Sequence, residues 1–315
     1  MYKDKSVCVV VPAYNEETQI LKVIDSMPDF VDLMVIVDDA STDGTAAVIR
    51  ERAAVNRRII LLVHESNQGV GGAIATGYKR ARDDGFDVTA VMAGDGQMDP
   101  EDLPRILDPI VEGQADYAKG NRLFFGDAWN MIPHYRYLGN STLSLFTKIA
   151  SGYWHLADSQ SGYTAISKIA LKRIDIEAIY KNYGMPNDLL IKLNHHDFRV
   201  KDVHIKPVYH IGESSGIKLR RVIPRISWIL FKGFWKRLFF KYVIKDFHPL
   251  IFFYGFSFLL LSASIPLILR LIVVWAVRGD IPDINAMALI FTLISGLQTL
   301  FFGMWFDMEY NKELK

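Results

Sequence analysis

Cysteine is nearly absent from this 315-residue chain. Cys8 is the single one and sits in an apolar run, so no disulfide framework exists and nothing points to an oxidising compartment. Excess charge is also missing: 36 Lys and Arg against 35 Asp and Glu leave a net +1, which excludes a generally basic nucleic-acid binder. No Gly-x-x-x-x-Gly-Lys-Ser/Thr phosphate loop occurs. The Gly-rich stretch Gly69-Val70-Gly71-Gly72-Ala73-Ile74 has Ile74 where a dinucleotide fingerprint needs its third glycine, and it follows the third predicted strand, not the first. The start is not predicted to be a signal peptide, because the apolar run 7–11 is short and leads into Pro12 and acids.

What is present first is an alternation. Apolar, β-rich runs at 6–11, 33–37, 59–63 and 88–92 are separated by segments with helical spacing, such as Ile20, Leu21 and Ile24. The predicted helices cover about 45–55, the residues through Arg82, and 102–112, with Asn15 or Thr18 as a cap for the first. Strands joined by helix-length connections predict an α/β fold with a doubly wound, mostly parallel sheet. Its far side is expected to be mixed, with a strand within 198–209 and helices at 136–149 and 187–195. Every strand ends in polar or Gly residues, so these collect at one edge, where open α/β sheets bind ligands. At that edge Asp95, with Gln97 two residues on, offers hard oxygen ligands for a divalent ion carrying a phosphorylated substrate. A surface turn at Gly94-Asp95-Gly96 is the plainer reading of the same residues. The Gly-rich start of the third helix suits close backbone approach or anion binding. The four histidines from His195 to His210 are scattered and do not read as a zinc set.

The last third differs in kind. Nine Lys and Arg in residues 218–245 interleave with Trp228, Phe231, Phe234, Trp235, Phe239, Phe240 and Tyr242, the composition of an interfacial amphipathic helix. A nucleic-acid-binding helix is the alternative, disfavoured because uncharged runs follow at 250–269 and 286–306. Each run is long enough to cross a bilayer at about 1.5 Å per residue. The linking segment 278–285 has only Arg278 as a base, so the positive-inside bias places the N-terminal domain and the tail on the cytosolic side. Arg270, near the end of the first run, is expected to snorkel to the far interface.

Six stretches together resemble one family. They are Val11-Pro12-Ala13-Tyr14-Asn15-Glu16-Glu17, Val37-Asp38-Asp39-Ala40-Ser41-Thr42-Asp43-Gly44-Thr45, Asn67-x-Gly69-x-Gly71, Asp95-x-Gln97, Gly120-Asn121-Arg122 and Asp158-x-x-Ser161-Gly162-Tyr163. In this order they resemble the inverting family-2 glycosyltransferases of the GT-A fold, and within them the polyisoprenyl-phosphate glycosyltransferases of the dolichol-phosphate mannosyltransferase type. The resemblance implies a GT-A, Rossmann-like domain over 1–216, basic aromatic juxtamembrane helices over 217–248, transmembrane helices over 249–277 and 286–306, an extracytoplasmic loop at 278–285 and a cytosolic tail at 307–315. It also implies a bacterial or archaeal inner or cell membrane as the location.

The resemblance assigns Pro12, Tyr14, Glu16, Asp38, Asp39, Gly71 and Asp95 to the nucleotide sugar, and Asp95 and Gln97 to Mg²⁺ or Mn²⁺. Chemically, a carboxylate pairs with a nucleobase N–H and an aromatic ring covers a base. Asp158 and Arg122 fall at the reacting centre. Arg136, Asn140, Ser141 and Lys218 fall near the acceptor phosphate, where a forked guanidinium holds phosphate by two bonds. Tyr209, Gly212, Glu213 and Ser215 resemble a loop that closes over the donor. The chain departs from the pattern twice: Ala93 replaces the first acid of the family's Asp-x-Asp, and Thr164 replaces a basic residue. The expected reaction is transfer of a hexose from a UDP- or GDP-sugar to a polyisoprenyl phosphate, by an integral membrane protein. A phosphate monoester is mostly dianionic near neutral pH, so Asp158 reads as an orienting residue first and a base second. Another lipid acceptor, or a non-catalytic membrane scaffold, remains open, as does a homo-oligomer.

Overall fold

The computed structural model describes residues 1–124, 126, 128–208 and 219–315, with the side chains of 219–221 excepted. The first unit spans residues 1–234 and 313–315, and the second spans 235–312.

Four apolar runs form parallel strands β1 (Val7–Ala13), β2 (Leu33–Asp38), β3 (Ile59–Val63) and β4 (Val88–Val91). Between them lie helices α1 (Ile20–Asp25), α2 (Thr45–Val55) and α3 (Val70–Asp84), and α4 (Leu103–Val111) follows β4. Next come β5 (Tyr117–Asn121), α5 (Ala128–Met131), α6 (His134–Ser151), β6 (Thr164–Ser167), α7 (Lys168–Arg173), α8 (Met185–His195) and β7 (Val200–His204). The sheet has seven strands in the order β3-β2-β1-β4-β6-β5-β7.

β1 is buried along its whole length, as expected of a strand covered by helices on both faces. Its side chains alternate between two cores. Cys8 and Val10 join Val35, Tyr78 and Leu190 on one face, while Val9 and Val11 join Ile36, Ile106 and Leu107 on the other. Only β6 runs against its neighbours, antiparallel to β4 and β5. Its start, Thr164, therefore pairs with Val91 at the end of β4 and with Lys119 of β5. This reversal carries the segment 158–163 to the same edge where β1, β2 and β4 end.

Several expectations shift. Tyr117–Asn121, which is not among the strands expected from the sequence, forms one. Neither Asn15 nor Thr18 caps α1: Gln19 occupies the cap position, and the Asn15 side chain accepts from the Thr42 N–H at 2.8 Å.

Helix α9 (Leu219–Phe239) leaves the first unit and continues into a π-helical turn, Phe240–Lys245. The second unit then holds α10 (Leu250–Arg278) and α11 (Asp283–Tyr310), both long and apolar enough to cross a membrane. Arg270 does not interrupt α10. Within this unit Arg237 grips Asp307 through two bonds, 2.8 and 2.9 Å, with both side chains fully buried.

Candidate active site

A cleft of about 740 Å³ opens at the C-terminal edge of β1, β2 and β4. Its wall includes Pro12, Tyr14, Glu16, Asp39, Asn67, Gly69, Asp95, Gln97 and Arg136. Pairing of Ala13 with Asp38 puts the loops after β1 and β2 side by side. They are stitched together there: the Asn15 N–H donates to Ser41 Oγ at 2.9 Å, and the Glu16 N–H donates to Thr45 Oγ1 at 2.9 Å. Both loops hold a non-glycine residue in the left-handed region, Asn15 at φ 56° and Ala40 at φ 60°. Such residues persist only where surrounding bonds over-determine them, and they cluster at ligand sites. The loop after β4 is fastened to the first by the Gly94 N–H on Pro12 O, 3.1 Å.

Asp39 is almost fully buried and heavily engaged. Its Oδ1 accepts the Gln68 N–H and its Oδ2 the Gly69 N–H, each at 2.8 Å. His64 Nδ1 faces Oδ1 at 2.7 Å, and its Nε2 faces Thr76 Oγ1 at 2.9 Å. The imidazole thus bridges the buried carboxylate and the Thr76 hydroxyl, which fixes the orientation of the ring. His64 follows β3 directly, at the edge where the other strands end. That position is the signal by which the sequence reading could have found it.

The sequence assigns Gly71 to the nucleotide and reads the Gly-rich start of α3 as suited to close backbone approach or anion binding; Gly69, Val70 and Ala73 line the cleft, and Gly71 makes the close approach. The Gly71 and Gly72 N–H groups donate to Lys181 O, at 2.8 and 3.2 Å, so these amides already have an acceptor. A Cβ on Gly71 would lie 2.1 Å from Tyr180 O. The glycine serves close approach of the 180–182 backbone. The next residues of that segment, Asn182 and Tyr183, line the cleft, and the sequence reading missed them. Asp38 also stands away from the cleft, buried, with Oδ2 accepting the Ser41 N–H at 3.3 Å.

Asp95 Oδ1 accepts the Gln97 N–H at 3.0 Å, and Gln97 Nε2 reaches Val208 O at 3.4 Å. Glu16 shares this wall. Burial, then the nearby Asp95, then Asp43, push its carboxyl up to about 7. Among the described residues no three of His, Cys, Asp and Glu converge on one metal position. One carboxylate and one amide fit an ion that takes most of its shell from a diphosphate and water, the usual manner of Mg²⁺.

Arg122 and Asp158 meet beside the start of β6. Arg122 Nε donates to Asp158 Oδ2 at 2.8 Å and Nη2 to Oδ1 at 3.3 Å. Asp158 also accepts the N–H groups of Gln160 and Ser161, at 3.0 and 3.2 Å. Burial alone would raise this carboxyl, but the Arg122 guanidinium, then Lys119 and the Arg122 backbone N–H, hold it below the usual range. Lys119 is fully buried, donates to Ser161 O, and is pushed down by that burial to about 8. Arg136 lines the cleft from α6, whereas Asn140 and Ser141 do not, and the Ser141 hydroxyl donates to Tyr137 O at 2.8 Å. Lys218, Tyr209, Gly212, Glu213 and Ser215 lie outside the described residues.

A parallel half-sheet extended by an antiparallel strand, with an acidic edge and an arginine–carboxylate pair beside it, defines a GT-A-type glycosyltransferase. The family model "Glycosyl transferase family 2" matches residues 8–175, and the chain belongs to that family. A UDP-N-acetylglucosamine–dolichyl-phosphate N-acetylglucosaminyltransferase of Methanococcus voltae is 33% identical over 219 residues, 65% of this chain and 87% of that one. An undecaprenyl-phosphate mannosyltransferase of Micrococcus luteus is 32% identical over 229 residues, 70% of this chain and 93% of the other. Among solved structures, glucosyl-3-phosphoglycerate synthase of Mycobacterium tuberculosis, in complex with Mn²⁺, UDP and glucosyl-3-phosphoglycerate, superposes with a TM-score of 0.54 at 19% identity. That alignment covers 74% of this chain and 80% of the synthase, and it shows the shared fold.

Proposed function

We propose that this glycosyltransferase moves one hexose from a UDP- or GDP-sugar to a polyisoprenyl phosphate at the cytosolic face of a membrane. One observation carries the acceptor assignment: the chain bearing the cleft continues through the basic, acid-free helix α9 into two helices of membrane-spanning length. A polyprenyl tail stays in the bilayer, so an enzyme tied to that surface meets its phosphate there. The relatives named for dolichyl and undecaprenyl phosphate support the same acceptor chemistry.

In this reading Pro12, Tyr14, Glu16 and Asp39 surround the nucleotide. Asp95 and Gln97 hold Mg²⁺ or Mn²⁺, which when bound neutralises charge on the departing diphosphate. Arg122 and Arg136 face phosphate oxygens, with Asn140, Ser141 and Lys218 as further candidates on the acceptor side. An acceptor phosphate oxygen attacks the anomeric carbon from the face opposite the leaving group. The new C–O bond forms as the bond to the nucleoside diphosphate breaks, and the configuration inverts. The nucleophile is already an anion, so no base is required. Asp158 is buried and held ionised by its partners, which suits aiming Arg122 better than taking up a proton.

Incubation of membranes containing the chain with a nucleotide sugar, followed by mass spectrometry of extracted lipid, tests the acceptor. The expected product is a polyprenyl phosphate carrying one hexose. A glycosylated ceramide or diacylglycerol in its place would overturn the acceptor assignment.

A further inference from the structure

Helix α6 is built inside out. Its inward residues Ser144, Thr147 and Ser151 are polar and buried. Ser144 Oγ accepts the Ser159 N–H at 3.0 Å, and Thr147 Oγ1 donates to Asn187 Oδ1 at 2.9 Å. Outward it presents Tyr135, Leu138, Leu145 and Phe146, 53–65% exposed, with Thr142 exposed among them and His134 beside them. At 3.6 residues per turn the first four fall within an arc of about 100°, the width of a normal buried stripe. A helix facing water carries the opposite arrangement.

Charge and continuity indicate what covers this stripe. No Asp or Glu occurs from residue 128 to residue 157, while Arg136 and Lys148 do. On its inner flank α6 packs through Ala150 and Leu143 against Ile226 and Leu230 of α9, with Ile191 of α8. That part of α9 exposes Trp228 and Phe231, stacked at 5.8 Å, beside exposed Arg225 and Lys232. Aromatic residues interleaved with cations and free of acids suit the headgroup layer of an anionic bilayer. The chain runs on from α9 to α10, so a bilayer is covalently close at hand.

We infer that the outer face of α6, formed by Tyr135, Leu138, Leu145 and Phe146, lies in the headgroup layer of the membrane as a second lipid contact of the catalytic unit, beside α9. Arg136, one residue along from Tyr135, lines the cleft. This lipid contact would hold that rim of the cleft at the depth of lipid phosphates. The consequence for acceptor capture rests on the function proposed above; the lipid contact itself does not.

The chain's one cysteine, Cys8, is fully buried, so an introduced cysteine is the accessible thiol. The full-length protein is placed in nanodiscs of phosphatidylcholine and phosphatidylglycerol. An environment-sensitive fluorophore is attached at Leu138→Cys or Phe146→Cys, with Trp228→Cys as the lipid reference and Val55→Cys as the water reference. Both α6 probes are expected to be blue-shifted, and quenched about twofold or more by lipids carrying a shallow nitroxide. Water-like emission at either residue overturns the inference. So does blue-shifted emission that lipid nitroxides fail to quench, because protein then covers the face. In a second arm, Leu138→Glu is expected to raise KM for the lipid acceptor about tenfold by like-charge repulsion. KM for the nucleotide sugar and Tm should stay unchanged. An unchanged acceptor KM overturns the role in capture, and absence of any transfer overturns the proposed function while the fluorescence still decides the lipid contact.

Discussion

Arg122 and Asp158 hold each other by two contacts, Nε to Oδ2 at 2.8 Å and Nη2 to Oδ1 at 3.3 Å, with the carboxylate wholly buried. The pair is the hinge of the site, because Asp158 also fastens the turn that leads into β6. Asp158→Asn is expected to lower kcat by about 10² or more, the range for loss of one preorganised electrostatic group. Arg122→Lys keeps the charge but loses the fork, and about tenfold is expected. Steady-state kinetics check both. Full activity of Asp158→Asn at every pH would rule out its orienting and its basic role together.

Asp95 carries the metal assignment. Asp95→Ala is expected to abolish stimulation by Mn²⁺ and to weaken UDP or GDP binding measured by calorimetry with Mn²⁺ present. In the wild type, EDTA should remove activity and Mg²⁺ or Mn²⁺ restore it. Equal nucleotide affinity with and without the cation would move the ion away from Asp95 and Gln97.

Gly71 is required by packing. An added Cβ would meet Tyr180 O at 2.1 Å, backbone that cannot simply step aside. Gly71→Ala is expected to cost about 1–3 kcal/mol, seen as a lower Tm in a thermal melt. A Tm equal to wild type would mean that the 180–182 segment is not seated on α3.

Asp202 provides a pH signature. Burial pushes its carboxyl up to about 6 although it accepts the Ala157 N–H at 2.6 Å. The folded state therefore keeps a proton that the unfolded chain releases near pH 4. Stability from this group falls as pH rises from about 4 to about 6. Asp202→Asn should lose that slope, so its Tm relative to wild type should increase across the same window. Parallel Tm curves would show that Asp202 ionises normally.

Much of this was legible because parallel strands buried on both faces leave an unmistakable mark. The runs at 7–11, 33–37, 59–63 and 88–92 became β1 to β4, and the polar residues after them became the cleft. Tyr117–Asn121 was harder: a buried Lys and a Gly do not look like a strand, and only its neighbours β6 and β7 make it one. The packing of Gly71 was not legible because its partner, the Tyr180–Lys181 backbone, is distant in sequence and has no side-chain signature. The same distance hid Asn182 and Tyr183. Helix α6 was seen as a helix, but its inverted faces depend on which side meets Ser159 and Asn187, which no local pattern records.

Sugar transfer to a polyprenyl phosphate would draw on the cleft at Asp95 and on the Arg122–Asp158 pair beside the start of β6. Its most direct test uses the purified full-length protein in liposomes with undecaprenyl phosphate, Mn²⁺ and radiolabelled UDP- and GDP-hexoses, followed by organic extraction. Label should enter the lipid phase with at least one donor, in proportion to nucleoside diphosphate released, and should be lost with Asp158→Asn. Release of nucleoside diphosphate with no label in lipid, or equal labelling by the variant, would contradict it.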